Sequence, residues 1–188
     1  MRSSLLLLLG TAALAAAGCS GDRDGNATAA NGTDAVKEAG DTTIAAGLDQ
    51  QGQFFTLAKA AGLDQTLAGP GPYTVFVPID AAFAKLPAGT VDTWTSPEGR
   101  PELTRTLTYH ILPGTVLAED IGRAIDNGKG SAQLATMGGE ALTAAREGDR
   151  IVLTDSAGGK AAITRADVVR ANGVVHETDA MLMPGEAS

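Results

Sequence analysis

The order of periodicities along the chain predicts an α+β fold in a single domain. Helix-period apolar patterns fill the first half of the stretch from residue 41 to 184, and alternating or β-branched segments joined by glycine-containing turns fill the second. The composition also changes at Asp41, leaving roughly 145 residues downstream, a size that supports one domain core.

Residues 1–18 read as an export leader that is removed. Arg2 supplies its positive charge, and Leu5–Ala17 is an apolar run of 13 residues, shorter than the ~20 that a membrane-spanning helix needs. Small residues, Ala16-Ala17-Gly18, then precede Cys19 as they would at a cleavage site. Cys19 is the sole cysteine, so no intrachain disulfide is available. Its setting resembles a bacterial lipobox, in which the leader is cut before a cysteine that is then acylated, palmitate being one such chain; Ala16 stands where leucine is usual. Burying acyl chains contributes ~0.8 kcal/mol per CH₂, and more than one chain anchors stably. The expectation is an exported protein held to the membrane of a bacterial cell envelope through lipid on Cys19. Ser20 replaces the aspartate that signals inner-membrane retention, which favours the outer membrane.

Ser20–Gly40 is rich in Gly, Ala, Asn, Asp and Thr, with Val36 its one large aliphatic residue. Such a segment buries too little apolar surface to offset ordering entropy, so residues 19–40 are expected to form the lipidated cysteine and a flexible spacer. Residues 185–188 form a short tail.

Within the domain, Phe54, Leu57, Ala58 and Ala61 fall at i, i+3, i+4 and i+7, which predicts a helix over Gln53–Ala61 closed near Gly62. The pentapeptide AGLDQ occurs at Ala46–Gln50 and again at Ala61–Gln65; two copies do not make a solenoid and read instead as the ends of two short helices with similar turns. Pro70 and Pro72 break the chain before Tyr73–Ile79, a β-branched and aromatic strand. Asp80 is expected to N-cap a short helix carrying Ala82, Phe83 and Leu86, ended by Pro87. A helix over Pro101–Ile111 gathers Leu103, Leu107, His110 and Ile111 on one face, and another over Glu119–Ile125 stops at Asn127-Gly128. Five strands follow, over Ala132–Met137, Ala141–Ala145, Arg150–Thr154, Ala161–Val169 and Val174–Leu182. Trp94, the only tryptophan, reads as a core lid beside a loop or as an exposed interface aromatic, and Met181 and Met183 as core or edge-strand packing or as the rim of a ligand groove.

The formal charge is −8. Nucleic acid demands clustered Lys and Arg, so no nucleic-acid partner is expected. The chain carries two histidines and no G-x-S-x-G, and Gly69–Pro72 lacks both the amide run and the lysine of a phosphate loop. His176-Glu177 lacks the second histidine of a zinc helix. The expectation is therefore a protein with no enzymatic activity, no metal and no cofactor.

Three segments occur in order at domain-like spacing: GPGPYTVFVPIDAAFAKLP (Gly69–Pro87), TLTYHILPG (Thr106–Gly114) and ANGVVHETDAMLMP (Ala171–Pro184). Together they resemble the signature regions of the fasciclin-type (FAS1) domain, over about Asp41–Pro184. The resemblance implies a single α+β domain, an antiparallel β-wedge of about seven strands with helices packed along it. It also implies an extracellular role in adhesion or surface binding, and it assigns Asp80, Phe83, His176 and Asp179 to the structural family motif. Tyr109 and His110 match a pair implicated in adhesive contacts of animal members, which makes them the candidate partner-binding residues. Two positions depart from the pattern: Ile79 replaces threonine, and Glu177-Thr178 replaces an apolar pair. The implied function is adhesion or binding of an envelope or extracellular protein or polymer; the alternative is carriage of a small apolar ligand such as a carotenoid or lipid. For His110 two roles stand beside each other: a buried ring bonding a carbonyl where the chain leaves its helix, or a direct contact with a ligand or partner.

Overall fold

The computed structural model describes residues 41–185. The leader, the lipidation site at Cys19 and the spacer lie outside the described residues, as do the last three of the expected tail. Among the described residues no helix is long and apolar enough to cross a membrane.

Three short helices open the domain: α1 (Ile44–Gly47), α2 (Gln53–Ala60) and α3 (Asp64–Ala68). Strand β1 (Tyr73–Pro78) follows, then α4 (Asp80–Phe83), α5 (Thr90–Thr95) and α6 (Arg100–Tyr109). Strand β2 (Ile111–Pro113) and helix α7 (Ala118–Asn127) lead into β3 (Ser131–Ala135), β4 (Ala141–Glu147), β5 (Arg150–Thr154), β6 (Lys160–Arg170) and β7 (Gly173–Thr178). The seven strands form one sheet in the order β2-β1-β7-β6-β5-β4-β3.

Strands β3 to β7 are an antiparallel meander, as the spacing of their turns predicts. β1 departs from that pattern by running parallel to β7, with Tyr73 opposite Gly173 and Pro78 opposite Thr178, so the sheet is mixed. The whole chain between them separates these two strands, and a connection of that length satisfies the crossover that a parallel pair requires. β2, whose first residue Ile111 is expected from sequence to end the preceding helix, instead pairs antiparallel with β1 through Tyr73–Pro113, Thr74–Leu112 and Val75–Ile111. Pro113 at the i+4 position from Tyr109 forbids the helix from continuing, and the β-branched Ile111 takes the ladder.

β1 separates two cores. Val75 points into the cluster made with Ile44, Phe54, Leu57, Leu103 and Trp94. Phe76 points the other way, into the cluster of Tyr109, Ile121, Leu142, Leu153 and Leu182. Burial on both faces is why YTVFVP does not alternate apolar and polar residues, Thr74 being its one buried polar residue. Trp94 and Met181 lie buried in the first core, with Met183 packed against it.

The expected end of the last strand moves. The last strand ends at Thr178, and Asp179–Gly185 continues as an irregular strap. The AGLDQ repeats both mark helix ends, for different reasons: Gly62 turns the chain with a φ of +75°, whereas Gly47 closes α1 under the Arg170 side chain, which fills the space where a Cβ would sit.

Candidate functional site

His110 occupies the C-terminal cap of α6. Its Nδ1–H donates to the Thr106 carbonyl at 2.8 Å, one of the oxygens that a helix end leaves free, and its Nε2 accepts from the Leu182 amide at 3.1 Å. Both ring nitrogens are thereby satisfied in the neutral tautomer. Burial lowers the pKa from 6.5 to about 4. The ring also tilts against Phe54, at 6.0 Å between centroids. Tyr109 turns to the opposite core, where its hydroxyl accepts from the Ser156 amide at 3.0 Å and lies 3.2 Å from the Ala141 carbonyl, to which it donates. Burial raises its pKa against the opposing Ser156 hydrogen bonds.

Neither side chain has any accessible surface. The candidate partner contacts Tyr109 and His110 are thus interior residues, not surface ones. The physical reason is the helix ending: consecutive residues at its last turn point into the two cores on either side of β1.

His176 is fully buried on β7 and stacks on Phe76 at 5.5 Å. Its Nε2–H donates to the Val116 carbonyl at 2.9 Å, and Nδ1 accepts from the Asp167 amide at 3.2 Å. Burial lowers its pKa, so the 3.9 Å approach to the Asp167 carboxylate is that of a neutral ring and makes no ion pair. Asp167 itself sits at a bulge with a φ of +59°, from which its carboxylate caps the first amide of α7, that of Ala118, at 2.8 Å.

The other motif residues are also structural. Phe83 is buried in the first core. Asp179 extends the β6–β7 pairing, its carboxylate accepting from the Ala162 amide at 2.8 Å, and its carbonyl accepts from Lys85 at 2.7 Å. Asp80 corrects the expectation that it caps its own helix. It occupies the first helical position of α4, and its Oδ1 accepts from the amide of Gln53 at 3.0 Å, the first of α2. Gly52 precedes α2 and has no side chain to do this, so the cap is lent across space.

Three further polar residues hold the domain together. Asn172 accepts from the Ile44 amide and donates to the carbonyls of Leu67 and Gly69, at 2.7 to 2.9 Å. Asp155 accepts from the amides of Gly159 and Met183 at 2.6 and 2.8 Å. Glu140 receives Arg105 at 2.9 Å and the Gly185 amide at 3.0 Å. Hydrogen bonds from Ser156 and Gly185 hold the Glu140 carboxyl below its ordinary range. With His110, these carboxylates clamp the C-terminal strap to the body of the domain.

Two accessible clefts flank Asp80. One, of about 300 Å³, lies between α2 and the β6–β7 pair, floored by Phe54, Phe55, Val168 and Val175. Ile79, at the departure from the family pattern, borders it and is 37% exposed. Of its charged lining residues, Arg165 pairs with Glu177 at 3.3 Å, and Arg170 donates to the carbonyl of Gly47. The second cleft, of about 550 Å³, lies between α2, α4 and α5. No group of three or more residues suited to hold a metal occurs among the described residues.

A mixed seven-stranded sheet, with helices α1 to α6 ahead of the meander and buried polar ties at His110, His176 and Asn172, defines a single α+β domain. The chain belongs to the fasciclin family: the family model described as Fasciclin domain matches residues 49–184. It is 36% identical to Protein sll1483 of Synechocystis sp. over 141 residues, covering 75% of this chain and 71% of that one. It is 35% identical to the transforming growth factor-beta-induced protein ig-h3 of Sus scrofa over 129 residues, 68% of this chain but 17% of that one. Among solved structures it is similar in fold to a FAS1 domain pair from the insect cell adhesion molecule Fasciclin I, with a TM-score of 0.52 and 23% identity, over 69% of this chain and 44% of that one. The chain thus spans one domain's share of the larger relatives.

Proposed function

We propose that the protein is a non-catalytic, membrane-anchored component of a bacterial cell envelope that mediates adhesion, or binds a protein or matrix partner, through its fasciclin domain. The observation that carries this reading is the family match over residues 49–184, almost the whole described domain; the fold is that of a named cell adhesion molecule. The lipobox-like setting of Cys19 supports lipid anchoring, with the outer membrane as its site, and Ser20–Gly40 separates lipid from domain. Because Tyr109 and His110 are interior, recognition falls to the surface around the two clefts.

Deletion in the native host is expected to reduce surface attachment. Restoring the wild-type gene should recover it and Cys19→Ala should not; full recovery by the Cys19→Ala form would remove the anchor from the mechanism. A second reading, carriage of a small apolar ligand, draws on the aromatic floor of the smaller cleft. Organic extraction of protein purified from its host would then yield stoichiometric pigment or lipid, and an empty extract rejects carriage.

A further inference from the structure

The larger cleft combines an apolar floor with a rim of one charge sign. Leu57 and Phe83 are buried at its base, with Leu86 and Val91 half-buried beside them. Asp80 and Asp92 are its charged lining residues, and no Lys, Arg or His lines it. The neighbouring hydroxyls are already spent: Thr56 donates to the Gly52 carbonyl at 3.0 Å, and Thr95 to those of Val91 and Asp92 at 3.1 Å. Asp80 uses one oxygen on Gln53 and keeps the other free, and Asp92 makes no ion pair among the described residues.

We infer that this cleft docks a segment of a partner protein in which Lys or Arg flanks an apolar side chain. The apolar residue would sit on Leu57 and Phe83 while the cation meets Asp80 and Asp92. Charge complementarity selects this occupant, since an acidic segment would face two unpaired carboxylates on a chain of formal charge −8. The shape of the site selects a protein segment rather than a free amine. Three helices border the cleft, and Ala84, Pro87 and Ala88 are exposed as an apolar shoulder that a larger partner can cover. The inference rests on the proposed protein-binding function and specifies the chemistry of its partner.

Trp94 on α5 is buried in the first core and does not line the cleft, so binding is read by heat rather than by its fluorescence. The full chain is titrated calorimetrically with acetyl-Lys-Leu-Leu-Lys-amide, with acetyl-Glu-Leu-Leu-Glu-amide and with decylammonium at low and high salt. The basic peptide should bind, weaken with salt and lose about tenfold in affinity in Asp80→Asn/Asp92→Asn, each exposed ion pair carrying up to about fivefold. Asparagine at 80 keeps an oxygen for the Gln53 amide, so the cap survives; an unchanged melting curve verifies it, and if it falls Asp92→Asn alone is read against the same prediction. Equal binding of the acidic peptide, no binding of the basic one, decylammonium binding without peptide binding, or an unchanged affinity in the variants would each overturn the inference. Cells expressing the double variant should lose attachment; if they attach as wild type while the deletion does not, the adhesive function stands and this cleft assignment falls.

Discussion

His110 shows how a residue that looks chemical becomes structural once its helical phase is fixed. Periodicity alone sets it beside Leu103 and Leu107, and the ring is buried there. What periodicity does not contain is the acceptor side of the bond: Nε2 receives the amide of Leu182, 72 residues away. Replacing His110 with alanine leaves the Thr106 carbonyl and the Leu182 amide without partners in a dry site, which costs roughly 1–3 kcal/mol for each group so exposed. His110→Ala should therefore lower the melting temperature by roughly 5–10 °C. A variant that melts as the wild type would show that water or a shifted strap replaces both bonds. The same distance limit hid Tyr109's burial: its neighbours Ala141 and Ser156 come from β4 and the loop after β5.

At the scale of elements, local pattern served best where one element buries one face. β5 is found over Arg150–Thr154 as expected from its β-branched, apolar run, and α2, α7 and β6 differ from expectation by a residue or two at their ends. It served least where a partner in space decides. β2 takes Ile111 from the end of a predicted helix because β1 offers a ladder. Asp80 caps α2 rather than α4 because α2 begins beside it with a glycine. Asn172 is the sharpest case: before glycine it reads as half of a turn, yet its side chain ties α1 and the end of α3 to the start of β7 through residues 103 to 128 positions away. Gly173 beside it has a φ of +151°, and a Cβ there would collide with the Tyr73 carbonyl, so the turn has little freedom to adjust. Asn172→Ala strands one amide and two carbonyls, and is expected to destabilise the domain by about 2–4 kcal/mol, or to depress soluble yield. Gln133→Ala, which removes one exposed bond to Thr143, should shift the denaturation midpoint little. Equal effects of the two would deny Asn172 its role as a tie between elements.

For the molecule as a whole, two neutral histidines in a dry interior make stability a function of pH. In the unfolded chain each imidazole titrates near 6.5; in the folded domain burial lowers both, His110 to about 4. As pH falls through this interval the unfolded chain takes up protons that the folded one does not, so folding free energy is fully present above about 6.5 and is lost on acidification toward 4. Each histidine contributes a slope of up to about 1.4 kcal/mol per pH unit, and His110 alone accounts for about 3 kcal/mol across its window. Glu140 acts in the adjoining range. Its carboxyl is held below its ordinary value, so its contribution persists above about 4.5 and disappears as pH falls through the lowered value. Protonation of either group also removes a hold on the strap, since His110 then has no lone pair for Leu182 and Glu140 binds Gly185 less strongly. Urea denaturation at pH 7, 6, 5 and 4 should give a midpoint that is highest at pH 7 and falls steadily below 6.5. His110→Gln, less stable at pH 7 but unable to protonate, should show a shallower fall, with the remaining slope set by His176 and, below about 4.5, by Glu140. A midpoint independent of pH between 6.5 and 4 would mean that both rings protonate in the native domain as readily as in water, which their enclosure and paired nitrogens do not permit.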